Sequence, residues 1–433
     1  MMLGNSVKNY LKSSPIFIFL PFLILFVLII LKLNVDSFQG DESRYYEFAK
    51  NILAGFYSPP APNINLWNGP GYPLFIAPFV FLKMPLIAIK LANAFLQYFS
   101  IILLFLAIEK YTSRKYALTF SFLWATYYIA YQELPLILTE PLASFLSALI
   151  VFLVSRINGS NKPKKTYLIL TGLAIGFLAL TKIIFGYVIL IMLLVYMFLL
   201  LIYRNKDHLK NGASVVIIAF LVTVPYLTYT YNLTGKILYW GNSGGSSLYW
   251  MSTPVEGEFG DWNNSTFTAN CGQDFKIPCN SVLFATNHQK DMDYISKLSS
   301  IEQDDELKKI AISNIQNHPV KYIRNCLSNL SRLFFGIPNS YFYQREQTVF
   351  RLIPNSLIFT LLIFCSILTA INFRTIKPEI HLIAGLTIIY LFLSTLVSAY
   401  PRQFYVVIPF IFFWASYVVC KTVTFKLKFS KDS

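Results

Sequence analysis

Apolar runs of about twenty residues recur along almost the whole of this 433-residue chain. Coiled as a helix at about 1.5 Å per residue, each covers the roughly 30 Å of hydrocarbon in a bilayer. Inside a bilayer every backbone N–H and C=O must find its partner within the protein, which leaves helices or a closed barrel. A barrel needs alternating apolar and polar residues. The runs here are continuous, so the pattern predicts an all-α polytopic membrane protein. Composition agrees: 13% of residues are charged, where a soluble domain would carry about 25%.

The runs predict about ten spans, near 15–33, 86–108, 116–132, 136–154, 167–182, 184–203, 213–231, 352–372, 380–398 and 404–420. The first is too long for a secretory leader and is read as a retained span. The net charge of +15 invites a nucleic-acid reading, but the position of the charges argues against it. Lys8 and Lys12 precede the first span. Lys110, Arg114 and Lys115, then Arg156, Lys162, Lys164 and Lys165, then Arg204, Lys206 and Lys210, then Arg374 and Lys377 fill alternate short connections. Lys421, Lys426, Lys428 and Lys431 follow the last span. Basic residues collect in this way on the cytoplasmic side. Both termini are therefore expected in the cytoplasm, and the two long connections on the outer face of a plasma (inner) membrane.

Three regions follow: an N-terminal membrane module (1–231) with a first outer loop (34–85), a large outer loop (232–350), and C-terminal spans with a basic tail (351–433). In the first loop, Tyr45, Phe48, Ala49, Ile52 and Leu53 lie at helical spacing on one face, and Gly55 closes the segment. Such a helix would lie in the interface plane. A second short apolar segment, Leu74 to Leu82, is broken up by Pro73, Pro78 and Pro85. In the large loop, a helix is expected from about Asp304 to Phe335 with an interruption at Pro319.

Five side chains stand out against this apolar background. Asp41 and Glu42 start the interfacial helix. Capping and the helix dipole alone would account for the residue types; equally, a carboxylate at the mouth of a membrane groove can act as a general base. Glu140, in Thr139-Glu140-Pro141, sits at the outer start of the fourth span, where a charge is costly. Lys182 lies between two barely sufficient spans and either snorkels to the interface or meets a phosphate. Arg402 occupies the short outer turn before the last span, against the charge bias, and is either an interface anchor or a bidentate phosphate ligand.

The four histidines show no metal-ligand spacing, and no nucleotide-binding loop is present. Cys365 and Cys420 lie in spans as apolar fillers. Cys271 and Cys279 bracket a short segment of the large loop; they would form a disulfide in an oxidising compartment and remain two free thiols otherwise. Cys326 is left without a mate.

Gly40-Asp41-Glu42 with Arg44-Tyr45, then Gly55, then Pro70-Gly71-Tyr72-Pro73-Leu74, resembles the first outer loop of GT-C fold glycosyltransferases. The closer branch is the protein O-mannosyltransferase and lipid A aminoarabinose transferase superfamily, including lipopolysaccharide-core transferases of the RgtA/B/C/D-like type. Thr139-Glu140-Pro141-Leu142, the stretch from Gly172 to Gly176 running on to Leu180-Thr181-Lys182, Tyr231-Asn232 with Gly235 and Gly244-Gly245, and Arg402 with Tyr405 and Pro409 are similar to later family segments in the same order. The aminoarabinose enzymes carry a lysine-containing segment where this chain has Leu66-Trp67-Asn68-Gly69-Pro70, so donor and acceptor do not carry over from that branch.

The resemblance implies a GT-C-like bundle that moves a sugar from a polyprenyl-phosphate donor to a glycan, lipid or protein acceptor of the cell envelope. It implies Asp41 as the catalytic base and Arg402 with Lys182 on the donor phosphate. Glu42 and Glu140 would support Asp41 or hold a divalent cation, and Tyr45, Tyr72 and Tyr405 would line the acceptor side. No nucleic-acid partner is expected. The competing readings are a transporter or flippase for lipid-linked glycans, which should show repeats or paired broken helices, and an oligosaccharide polymerase.

Overall fold

A computed structural model describes residues 14–158, 164–203, 206–263, 280–342 and 348–422. Cys271 and Cys279 lie outside the described residues. The described chain is helical, with connecting loops and turns and no sheet. Seven helices are long and apolar enough to cross a membrane: α1 (Pro15–Leu33), α4 (Leu86–Tyr111), α7 (Thr139–Ile157), α9 (Ile184–Ile202), α10 (Asp207–Thr234), α15 (Val349–Ile371) and α16 (Pro378–Leu396). Three more apolar helices are shorter: α3 (Gly71–Phe81), α8 (Lys165–Thr181) and α18 (Ile408–Thr422). The protein is a multi-pass membrane protein. Its two long connections emerge at one end of the bundle, here the loop end, and its short basic connections at the other.

The expected third span, 116–132, is two helices, α5 (Arg114–Ala125) and α6 (Tyr128–Glu133). One side-chain hydrogen bond compensates the break and a second ties it to a neighbouring span. Tyr131 donates to the freed Ala125 carbonyl at 2.7 Å, and Tyr127 donates to Asn355 of α15 at 2.8 Å. The last span is likewise preceded by a separate turn of helix, α17 (Pro401–Tyr405).

The centre of the bundle is formed by α7 and α18. Every residue of α18 from Ile408 to Val418 is buried, and α18 packs against α4, α5, α7, α15 and α16. Helix α8 lies against α10 through Gly172 and Gly176. A Cβ at either glycine would come within 2.6 Å of Ile218 or 2.5 Å of Val222. Two small residues four apart let helix backbones approach closely in a membrane, where packing rather than water exclusion drives association.

In the first loop, the amphipathic helix is α2 (Glu42–Leu53), which buries Tyr45, Phe48 and Ala49. The second expected segment is α3. The large loop carries α11 (Gly244–Met251), α12 (Ser281–Ile295), α13 (Ser300–Asn317) and α14 (Pro319–Phe335), with the expected interruption before Pro319. The first loop docks on the loop end of α8 through glycine. At Gly69 a Cβ would fall 2.1 Å from the Leu180 carbonyl oxygen, and at Gly71 2.4 Å from Thr181 Oγ1. The backbone at Leu180 cannot yield as a side chain could. Gly69→Ala should therefore cost about 1–3 kcal/mol, as overpacking does, and lower the thermal unfolding midpoint followed by tryptophan fluorescence in detergent. An unchanged midpoint would show that the loop is not seated on α8.

Candidate active site

The side chain of Asp41 does not cap α2, although Asp41 stands at the N-cap position. Gly40, at φ +54°, turns the chain immediately before it. One Asp41 carboxylate oxygen accepts from Arg44 at 2.8 Å and the other from Arg402 at 3.3 Å. Arg402 Nε lies 3.7 Å from Glu140 Oε1, and Lys182 Nζ donates to that same oxygen at 2.6 Å. Four stretches far apart in sequence thus meet in one chain of charges: Arg44, Asp41, Arg402, Glu140, Lys182. Three cations face two carboxylates, so these five groups carry one positive charge in excess; the Glu133 carboxyl beside them would cancel it when ionised.

The group is graded in depth. The Glu140 side chain is 2% exposed and Lys182 17%, whereas Asp41 and Arg402 keep 31% and 39% of their side-chain surface accessible. Arg402 is nevertheless surrounded by protein on most sides. A group both deeply set and accessible lines a crevice. Burial pushes the Asp41 carboxyl upward, but the Arg402 and Arg44 guanidiniums outweigh it and hold the group below the usual aspartate value.

Other expected site residues take supporting places. Glu42 is fully buried and accepts from the backbone N–H of Gln39 and of Ile137, both at 2.9 Å. It ties α2 to the segment before α7 and makes no ion pair among the described residues. Tyr45 is 4% exposed; its hydroxyl accepts from Asn68 at 3.0 Å, and its ring packs edge-on against Tyr72. Tyr72 is fully enclosed, with a hydroxyl that meets no hydrogen-bond partner. Tyr405 is also enclosed, donates to Gln97 at 2.8 Å and stacks on Trp124. The expected acceptor-side tyrosines are thus packing residues beneath the crevice rather than its lining, because their large rings fill helix interfaces. No group of three or more His, Cys, Asp or Glu side chains that could hold a metal gathers among the described residues.

The structure adds residues that the sequence did not single out. Glu133 closes α6 with a buried carboxylate oxygen that has no hydrogen-bond partner. It lies beside the Glu140 carboxylate and in the field of Arg402 and Lys182. Arg44 is held by Asn68 at 2.7 Å and lies over the Trp67 ring, 5.6 Å from its centroid. The turn that presents Arg402 is gripped by α14. Asn329 Nδ2 donates to the carbonyls of Ser394, Thr395 and Val397, and its Oδ1 accepts from Ala399 N–H. These are the carbonyls that α16 leaves open at its C-terminus. Arg332 is fully buried and donates to the carbonyls of Phe259, Gly260, Pro338 and Ala399. From the large loop, Trp262 N–H donates to Ser398 at 2.6 Å, and Tyr400 donates to the Trp262 carbonyl at 2.8 Å.

Fold and site together define a multi-pass membrane protein with a charged crevice at one end. Residues 47–237 match the model of the family described as dolichyl-phosphate-mannose-protein mannosyltransferase. The oligosaccharyltransferase of Archaeoglobus fulgidus in its apo form superposes with a TM-score of 0.50 at 14% identity, over 92% of this chain and 50% of that one. That is a likeness of fold, and this chain spans about half the length of that protein. ArnT from Cupriavidus metallidurans, solved with undecaprenyl phosphate bound, gives a TM-score of 0.42 at 10% identity, over 92% of this chain and 77% of that one. No curated protein sequence matches the chain. The family match covers less than half of the chain, and the likeness to the oligosaccharyltransferase is one of architecture.

Arg332 tests the scaffold. Replacing it with leucine leaves four carbonyls and the nearby Asp261 charge uncompensated in a buried place. Breaking such a group costs about 3–5 kcal/mol. Arg332→Leu should sharply reduce the yield of monodisperse protein on size exclusion, whereas Arg324→Leu, at a side chain 67% exposed, should leave it unchanged. Equal yields would remove Arg332 from the support of the Arg402 turn.

Proposed function

We propose that this crevice transfers a sugar from a polyprenyl-phosphate donor to a hydroxyl of a glycan, lipid or protein acceptor, on the outer face of a bacterial-type inner membrane. The observation that carries the reading is the Arg44–Asp41–Arg402–Glu140–Lys182 chain, with its one excess positive charge. The donor is a phosphodiester with a single negative charge. As its sugar C1–O bond breaks, the electron pair stays on the phosphate oxygen and the lipid phosphate gains a second charge. Arg402, already accessible, takes the phosphate, and Lys182 is the second cation on Glu140. An interaction that grows as the bond breaks accelerates the reaction rather than merely binding the substrate.

The acceptor hydroxyl oxygen forms the new bond to C1, and its proton passes to Asp41. In the resting site Asp41 is a weak base, because two guanidiniums stabilise its charge. Donor phosphate that draws Arg402 away leaves burial opposed by Arg44 alone, so the carboxylate becomes more basic when its substrate is in place. Glu140, held by Lys182, keeps Arg402 in reach. A hexose or pentose fits this chemistry equally, since none of these groups touches the sugar ring in the steps described.

Asp41→Asn should lower turnover about 10²–10⁴-fold, the usual range for a lost general base. The assay uses membranes supplied with a panel of radiolabelled polyprenyl-phosphate sugars. Full activity in the variant with any donor it accepts would exclude Asp41 from the reaction. Removing Arg44 gives the second test. With its pKa depressed, the Asp41 carboxylate is available above the usual aspartate range, near about 4, and is lost as pH falls through the folded value. In Arg44→Gln that value rises, so the acid limb of kcat/KM should move to higher pH. An unmoved limb would show that Arg44 does not tune this carboxylate.

A further inference from the structure

Helix α14 is amphipathic in the wrong sense for a helix in water. Its polar side chains point inward: Asn325 donates to the Met251 and Thr253 carbonyls, and Asn329 and Arg332 hold the turn before Arg402. Its aliphatic side chains point outward. Val320, Ile323 and Leu327 are 62%, 59% and 63% exposed, at positions i, i+3 and i+7 of one stripe. Leaving such side chains in water forgoes about 1.5–3 kcal/mol each. A contiguous exposed stripe of this kind marks an interaction surface.

Two observations say what covers it. The helix that carries the stripe runs into the apolar surface of a span, its C-terminal Phe334 and Phe335 packing on Phe359 of α15. α14 packs against α15, whose first turns expose Val349, Phe350 and Ile353 at 59%, 62% and 62%. The stripe also has an exposed cation at its flank, Arg324, with a side chain 67% exposed and only a loose 4.0 Å pairing with Glu256, while the Lys321 ammonium turns inward to the Glu258 carbonyl and Asn325. Aliphatic side chains edged by basic ones are the pattern of a helix that lies in the interface plane, in acyl chains below and against anionic headgroups above.

We propose that α14 is a membrane-docking helix, seated in the bilayer interface at the loop end with Val320, Ile323 and Leu327 in the acyl region. Its inner face holds the Arg402 turn, so the bilayer surface and the charged crevice are fixed at one height relative to each other. A donor whose phosphate sits at headgroup level and whose tail stays in lipid would then meet Arg402 without leaving the membrane.

The test is photocrosslinking of the full chain in vesicles of phosphatidylethanolamine and phosphatidylglycerol, with benzoylphenylalanine in place of Ile323 or Leu327. A third protein carries the probe in place of Lys308, on the exposed face of the polar helix α13. All three substitutions are at exposed positions, and size exclusion confirms that each protein is folded. Mass spectrometry should find phospholipid adducts at 323 and 327 several-fold above those at 308. Adducts no more frequent than at 308, or crosslinks to a second copy of the chain, would overturn the proposal. The readout is independent of sugar transfer, so it stands or falls apart from the assigned reaction.

Discussion

One guanidinium organises this protein. Arg402 reaches Asp41 of the first loop and Glu140 of the fourth span, and Lys182 meets the same Glu140 oxygen. Taken singly, each ion is poorly placed at the edge of a membrane. Together they offset one another's desolvation, and none can be removed without stranding a partner. The arrangement also leaves one cation in excess and keeps two of its members accessible. A site built for stability alone would close over its charges; this one remains open on the side where Asp41 and Arg402 lie.

The scaffold can be followed outward from that guanidinium. Arg402 sits on α17, which follows the turn at Ala399 and Tyr400. The turn hangs from Asn329 and Arg332, and through Trp262 from the large loop. Asp41 is brought up by Gly40 and by the seating of Gly69 and Gly71 on α8, the helix that ends just before Lys182. Both halves of the site are thus positioned by close backbone approaches and by buried polar side chains on carbonyls. Such contacts give little freedom, which suits the proposed reaction, in which a phosphate would replace a carboxylate on the same guanidinium.

Much of this was legible in the sequence, for identifiable reasons. Apolar run length gave the helices, because membrane spanning imposes it directly. Charge and position drew attention to Asp41, Glu140, Lys182 and Arg402, because an ion at a span's edge stands out against aliphatic neighbours. The break at Thr126 was hidden, since residues 116–132 hold no charge, proline or glycine, and the hydrogen bond that compensates it comes from the Tyr131 side chain. Asn329 and Arg332 were hidden for the converse reason: on a helix in an outer loop, polar residues read as the wet face. Here they are the buried face, as only tertiary contacts reveal. Tyr72 and Tyr405 misled, because an aromatic beside a charged motif has the same appearance whether it lines a crevice or packs beneath it.

The proposed exchange of carboxylate for phosphate on Arg402 can be tested without any sugar transfer. Binding of polyprenyl phosphate to the detergent-solubilised protein should weaken at least about tenfold in Arg402→Gln, as expected when a charge-assisted pair is lost. In Asp41→Asn, where the competing carboxylate is gone, binding should be as tight as in the unaltered protein or tighter. Equal affinity in Arg402→Gln and the unaltered protein, or loss of binding in Asp41→Asn, would contradict the account.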